Sequence, residues 1–294
     1  MAIFVGSGVA IATPFHNDGT VNYNAYEKHI DFLIQNGTDA IVTCGTTGEA
    51  STLSDEEHLD VIRSAVSATA GRVPVIAGAG SNDTKHGVEL CKDVQKTGAD
   101  ALLLVTPYYN KCTQEGLVKH FRMQAEGVDI PSIVYNVPSR TTVNILPSTM
   151  YELSKISNIV GVKEASSNIV QIAETAEVCG PGFDLYSGND DQIVPILSLG
   201  GIGVITVIGN IAPKQVHDMV EHFLNGSIKE STDLQLKSLA LVRALFTEVN
   251  PIPVKAALNL MGFEAGPPRM PLTEISAGAL ELLKKEMKAY GLIS

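Results

Sequence analysis

Short apolar runs alternate along the chain with stretches whose apolar positions recur every third or fourth residue. The runs are Val9–Thr13, Ala40–Thr43, Val73–Ala77, Ala101–Thr106, Ser132–Asn136, Ile159–Lys163, Asp184–Ser187 and Gly203–Val207. They are nearly continuous in apolar character rather than alternating, as strands are when a parallel sheet is covered on both faces. Between them the period turns helical: Tyr26, Ile30, Leu33 and Ile34 fall on one face, as do Leu59, Ile62 and Val66. Ser54 with Glu57 three residues later has the form of a capping box, which starts that second helix. A helix over Pro213–Leu224 puts Val216, Val220 and Phe223 on one side, with Pro213 in its first turn and Gly226 beyond its end.

Eight strand–helix units therefore precede residue 226, and they predict an α/β fold of the (β/α)8 TIM-barrel kind. A doubly wound sheet is the alternative that the pattern leaves open. From Gly226 onward only helical patterns remain, over Ile228–Phe246, Pro253–Met261 and Thr273–Lys288. The expected division is a barrel over residues 1–225 and an all-helical C-terminal region over 226–294, with no flexible linker, tandem repeat or low-complexity tract between or within them.

Composition narrows the function classes. With 294 residues, 45% of them hydrophobic, the chain can bury a large core. A formal charge of -11 and the lack of a basic stripe argue against a nucleic-acid partner. No apolar stretch approaches the ~20 residues that span a bilayer, and the N-terminus lacks a signal peptide's basic start, so a cytoplasmic protein without membrane contact is expected. Cys44, Cys91, Cys112 and Cys179 form no CxxC pair and read as reduced thiols. The histidines (16, 29, 58, 86, 120, 217 and 222) are scattered, which argues against a metal-dependent barrel hydrolase, and no metal or cofactor is expected.

Barrel active sites lie at the carboxyl ends of the strands. The side chains falling there are Thr46 and Thr47 in Gly45–Glu49, Tyr108 and Tyr109 after strand four, Tyr135 at the end of strand five, Arg140 in the loop beyond it, Lys163 at the end of strand six, the Gly188-Asn189-Asp190 turn, and Ile205 in strand eight. This set has one lysine, several hydroxyls and one arginine, and no carboxylate pair. Lys163 closes an apolar strand. It is either a snorkelling or ion-paired lysine, with Glu164 as partner, or an amine nucleophile whose pKa has been brought down from about 10.4 by burial or a neighbouring cation. Tyr135 is a candidate proton donor and acceptor, and Thr46 and Tyr109 could extend a hydroxyl relay; each tyrosine could equally be a buried aromatic with a satisfied hydroxyl. The Gly45–Glu49 loop could cradle a carboxylate or a phosphate, or be a simple turn. Arg140 could grip a carboxylate with two parallel bonds, the counter-charge that an anionic substrate needs on an acidic protein, or pair with a surface acid.

Taken in order, Gly8–Phe15, Gly45–Glu49, Thr106-Pro107-Tyr108-Tyr109-Asn110, Tyr135–Thr141, Val162–Ser166 and Gly203–Thr206 resemble the dihydrodipicolinate synthase family of pyruvate-dependent, class I aldolase-like lyases. The likeness runs over nearly the whole chain. It implies that Lys163 forms a Schiff base with pyruvate, that Tyr135 moves protons, and that Thr46 and Tyr109 complete the relay, Tyr109 entering from a neighbouring subunit. It further implies that Thr47, Ile205 and the Gly188 backbone contact substrate, and that Arg140 receives the carboxylate of L-aspartate-4-semialdehyde. Asn189 stands where the family often has aspartate, which puts any charge role there in doubt. The expected assembly is a homotetramer, a dimer of dimers. Regulated relatives bind lysine at the dimer interface; the matching positions here are Ser51, His58, Asn82, His86 and Tyr108. Asp55 replaces a frequent histidine and His86 a frequent glutamate, so weak or absent inhibition by lysine is expected. The rival reactions are those of sister lyases, N-acetylneuraminate lyase or a keto-deoxy-sugar-acid aldolase, from which Arg140 in its Pro-Ser-Arg-Thr loop distinguishes the chain; a non-catalytic pyruvate-binding protein is a third reading.

Overall fold

A computed structural model describes residues 2–294. Its strands are β1 (Gly6–Ala10), β2 (Ala40–Thr43), β3 (Val75–Gly78), β4 (Ala101–Val105), β5 (Ser132–Asn136), β6 (Ile159–Glu164), β7 (Asp184–Ser187) and β8 (Gly203–Thr206). The helices are α1 (Tyr23–Gln35), α2 (Asp55–Thr69), α3 (Thr84–Gln95), α4 (Gln114–Ala125), α5 (Pro138–Thr141), α6 (Pro147–Ser154), α7 (Ile169–Cys179), α8 (Ile193–Leu197), α9 (Pro213–Leu224), α10 (Ile228–Leu245), α11 (Ile252–Leu260) and α12 (Ala277–Tyr290). The strands pair in parallel, each with the next in chain order, and β1 pairs with β8. That closed ring is a TIM barrel, and it removes the doubly wound alternative.

Closure depends on small residues. Gly6 faces Gly203 and Gly8 faces Ile205 across the β1–β8 seam. A β-carbon on Gly203 would lie 2.2 Å from the Gly6 carbonyl oxygen, so no side chain fits there without moving the seam. The same chemistry explains where the sequence reading of strand one was displaced. Val9–Thr13 is more apolar than Gly6–Ala10, and all of it is buried, yet the ladder uses the earlier, smaller residues. Beyond Ala10 the chain leaves the ladder: the Ala12 amide donates to Asn210 Oδ1 at 3.1 Å, and the Thr13 hydroxyl donates to the Gly48 carbonyl at 2.7 Å.

The barrel interior is packed with Ala10, Ala40, Val42, Ile76, Ala101, Leu103, Ile133, Tyr135, Tyr186 and Ile205, and Phe4 joins this cluster. Phe4 stacks on Tyr186 with ring centroids 4.5 Å apart, and the Tyr186 hydroxyl donates to the Phe4 carbonyl at 2.8 Å. The outer face of the strands is covered by α1–α4 and α6–α9, with apolar stripes such as Tyr26, Ile30 and Leu33 on α1 and Val61, Ile62 and Ala65 on α2 fully buried. Helix α2 begins with the reciprocal Ser54–Glu57 capping box that the sequence showed.

The three C-terminal helices are present. Helices α10 and α11 start within one residue of their expected positions, while α12 starts at Ala277, where the Ser276 hydroxyl caps the helix by accepting the Ala279 amide. One apolar cluster joins Val216, Met219 and Val220 of α9 to Leu241 and Leu245 of α10, Leu258 of α11 and Leu283 of α12. Among the described residues no helix is long and apolar enough to cross a membrane.

The seam makes a stability prediction. Gly203→Ala should lower the free energy of unfolding by about 1–3 kcal/mol, as overpacking a dense core does. Urea denaturation checks it, and a variant as stable as the wild type would mean that the seam has room.

Candidate active site

Eight strands deliver their last residues to one end of the barrel, and a cavity of about 550 Å³ opens there. Its lining includes Thr46, Thr47, Tyr135, Arg140, Lys163 and Gly188, six of the residues singled out from sequence. Asn189 and Asn250 line it as well. Ile205 lies buried in the barrel interior and is not among the lining residues. Tyr109 is 93% exposed, with φ at 72°, and takes no part in its own chain's cavity.

Register explains the central pair. Tyr135 on β5 is opposite Lys163 on β6, so both project into the barrel from neighbouring strands. Lys163 is 6% exposed, and its Nζ stands 4.3 Å from the centre of the Tyr135 ring. Glu164, the ion-pair partner that adjacency offers, alternates to the other face. There its carboxylate accepts from Asn136 Nδ2 at 3.1 Å and from the Ser166 amide at 2.7 Å. The ion-paired reading of Lys163 with Glu164 is therefore not the one the fold adopts.

Burial among apolar walls pulls the Lys163 ammonium down to about 7; the negative charge of Asp190 opposes that shift and the Arg140 guanidinium adds to it. At neutral pH a large share of the amine is uncharged. Tyr135 is pushed up to about 12 by burial, against the opposing effects of Arg140 and of a hydrogen bond with Thr46. Its phenol keeps its proton at neutral pH and is available as a donor. The site thus pairs a neutral amine with a protonated hydroxyl, the combination that carbonyl addition and dehydration require.

Asp190 was placed at the end of strand seven from sequence but given no role of its own. It is buried, and its carboxylate accepts from the Val207 amide at 3.1 Å and the Ile208 amide at 2.8 Å. Asn189, whose charge role was in doubt, instead donates through Nδ2 to the Ser167 hydroxyl at 3.0 Å, so the negative charge of this turn sits one residue later. A signal existed in the Gly188–Asp190 turn, but two adjacent acids follow Asn189, and only the fold shows which one turns inward. Asn250 was also missed: its Nδ2 donates to the Thr47 hydroxyl at 3.0 Å from the segment before α11.

Arg140 sits on the single turn α5 and is exposed at the cavity mouth, where it reaches the Asn250 carbonyl at 3.4 Å.

A second cavity of about 470 Å³ shares Gly45, Thr46, Tyr135 and Arg140 with the first and runs outward past Ser51, Asp55, His58, His86 and Tyr108. Asn82 stands beside it, donating to the Tyr108 carbonyl at 3.2 Å. His86 Nε2 lies 3.3 Å from both Asp55 carboxylate oxygens, and His58 Nε2 donates to the Gly78 carbonyl at 2.7 Å.

Comparison with known proteins fits this geometry. The sequence pattern of the Dihydrodipicolinate synthetase family matches residues 3–290. A 4-hydroxy-tetrahydrodipicolinate synthase of Caldicellulosiruptor saccharolyticus is 58% identical over 292 residues, covering 99% of each chain. Among solved structures, the synthase of Cyanidioschyzon merolae with lysine bound superposes with a TM-score of 0.97 at 41% identity, over 100% of both chains. The chloride-inhibited dihydrodipicolinate synthase of Acinetobacter baumannii complexed with pyruvate gives 0.96 at 42% identity, over 98% of this chain and 99% of that one.

The depressed lysine makes a prediction about stability. Below about pH 7 Lys163 is charged in both the folded and the unfolded chain, and its burial penalty is felt in full. Between about 7 and about 10.4 the unfolded chain binds more protons, so this contribution to stability rises with pH. Lys163→Met removes the penalty. The variant should exceed the wild type in stability at about pH 6, by on the order of a few kcal/mol, and the difference should shrink towards pH 10. Urea denaturation across that range checks it; a difference that stays flat with pH contradicts the burial of a titrating amine.

Proposed function

The chain belongs to the dihydrodipicolinate synthetase family, and from that membership and the chemistry of its site we propose that it condenses pyruvate with L-aspartate-4-semialdehyde through a Schiff base on Lys163, giving 4-hydroxy-tetrahydrodipicolinate for lysine and diaminopimelate biosynthesis. The single observation that carries the reading is a buried lysine, uncharged in large part near neutrality, held beside a protonated tyrosine at the mouth of the barrel.

The steps follow from the residues. The Lys163 amine attacks the keto carbon of pyruvate, and Tyr135 delivers a proton to the departing hydroxyl as the carbinolamine loses water. The iminium then carries a full positive charge in a low-dielectric site; burial raises the Asp190 carboxyl above its ordinary range, and the facing positive charge together with the Val207 and Ile208 amides favours its anionic form. The Tyr135 phenolate left by the dehydration takes a proton from the pyruvate methyl, which gives the enamine. The former methyl carbon attacks the aldehyde, whose carboxylate Arg140 grips at the cavity mouth, and Tyr135 returns its proton to the aldehyde oxygen. The semialdehyde's own amine finally adds to the iminium carbon and expels Lys163, so two substrates leave as one cyclic product and one water. Thr47 and the Gly188 backbone line the cavity and position pyruvate, with Ile205 packed in the barrel interior outside that lining; Thr46 links Tyr135 to the next hydroxyl of the relay. No step calls on a metal or cofactor.

That next hydroxyl belongs to Tyr109 of a second copy. Its own chain leaves it almost fully exposed, on a left-handed backbone turn beside a half-exposed Tyr108. An active dimer, paired again into a homotetramer, suits that arrangement. On this reading the catalytic barrel takes up the described residues to 225, and 226–294 are the helical region that braces it. The four free thiols suit a reducing cytoplasmic setting.

Borohydride added with pyruvate should trap an adduct that mass spectrometry locates on Lys163, and the enzyme should turn over pyruvate with aspartate semialdehyde in preference to cleaving sialic acid or keto-deoxy sugar acids. Absence of the adduct, or preferential sugar-acid cleavage, would defeat the reading.

Regulation by lysine is expected to be weak. The outer cavity that includes Ser51, His58, His86 and Tyr108, with Asn82 at its edge, has an imidazole at position 86, where regulated relatives often place a glutamate, and that imidazole lies against Asp55. Micromolar lysine should leave the steady-state rate unchanged, and half-inhibition in that range would contradict this.

A further inference from the structure

We infer that Lys255, on α11 and remote in sequence from the barrel strands, is a positioning residue that holds the Gly45–Glu49 loop in its working shape through Glu49. The inference rests on the reading of Thr46 and Thr47 as relay and pyruvate-binding groups.

Glu49 ends the loop that carries both threonines. It is not glycine, yet its φ is 53°, in the left-handed region that such residues occupy only when surroundings hold them there. Its carboxylate is held from two sides. Lys255 Nζ donates to Oε1 at 2.8 Å, and the Arg269 amide donates to Oε2 at 2.8 Å. Both side chains of the Lys255–Glu49 pair are 1% exposed. Lys255 is itself fixed, because its Nζ also donates to the Pro267 carbonyl at 2.9 Å and lies 4.2 Å above the Phe15 ring. The segment supplying Pro267 and Arg269 is clamped against the same phenylalanine. Its Gly266 has φ at 67°, and a β-carbon there would lie 1.7 Å from the Phe15 carbonyl oxygen.

The neighbouring loop positions are held as well. Asn250 donates to the Thr47 hydroxyl, and Thr13 donates to the Gly48 carbonyl. Residues 47, 48 and 49 are thus each tied down, and Thr46 is left to reach Tyr135. A buried ion pair adds little to net stability compared with an apolar pair of the same shape. What it does supply is direction: two charges with fixed partners fix where Glu49 stands. A shift of about 1 Å in that loop would separate Thr46 from Tyr135 and cost roughly a hundredfold in rate.

The test is the neutral double variant Glu49→Gln/Lys255→Met, compared with wild type by thermal unfolding, steady-state kinetics, hydrogen exchange of the residue 45–49 amides, and borohydride trapping with pyruvate. The fold and the Lys163 adduct should persist. The loop amides should exchange at least about tenfold faster and kcat should fall at least about tenfold, at temperatures well below Tm. A merely structural pair would lower Tm and leave both the loop exchange and kcat within about twofold of wild type; that result overturns the inference while the adduct keeps the Schiff-base reading intact. If the double variant does not fold, Glu49→Gln alone must show the same two changes in smaller measure, and unchanged values there also overturn it. Failure to trap any adduct on the wild type would remove instead the reading on which the inference rests.

Discussion

Removing one ammonium group from water is the constraint on which the rest of this structure depends. Lys163 sits where eight strands converge, with apolar walls around its stem and no carboxylate of its own strand turned towards it. Burial brings it down to about 7, and each feature of the site follows from that cost. Tyr135 packs its ring under the amine and keeps its proton. Asp190 offers a negative charge that is already spoken for by two backbone amides, so it can face a cation without forming the tight pair that would restore the ammonium. Arg140, further out, adds positive charge that favours the neutral amine and draws in anions.

The barrel makes that placement cheap in sequence. Parallel register puts Tyr135 opposite Lys163 and Lys163 opposite Tyr186, so three neighbouring strands present their interior side chains in one layer. Glycine at both sides of the β1–β8 seam lets the ring close. The C-terminal region then does more than cover α9: through Lys255 of α11 and through Asn250 and Arg269 in the segments on either side of that helix, it grips the loop that holds Thr46 and Thr47.

Local pattern carried much of this. The alternation of apolar runs and helical stripes marked eight strands, the Ser54–Glu57 box marked the start of α2, and Pro213 with Gly226 bracketed α9. Lys163 stood out because a lysine closing an apolar strand is out of place as decoration, and Tyr135 and Arg140 were candidates by their position at and beyond the end of strand five. What stayed hidden was non-local. Strand β1 was displaced because hydrophobicity reports burial, and Ala12 and Thr13 are buried without belonging to the ladder. Asp190 could not be told from Asp191 without knowing which one faces the amides of Val207 and Ile208. Glu49 and Lys255 meet across 206 positions of chain, a pairing that no window of sequence displays. Tyr109 is almost fully exposed and does not line the cavity of its own chain, so no packing contact within the barrel marks it.

The most direct test of the account is the pH dependence of the rate at which pyruvate forms its imine with Lys163, followed in the pre-steady state. A buried amine that is half neutral near pH 7 predicts a rate that rises through an apparent pKa close to that value and then levels off. A rate that keeps climbing to an inflection near about 10.4, the ordinary lysine value, would show an amine still in water and contradict the account.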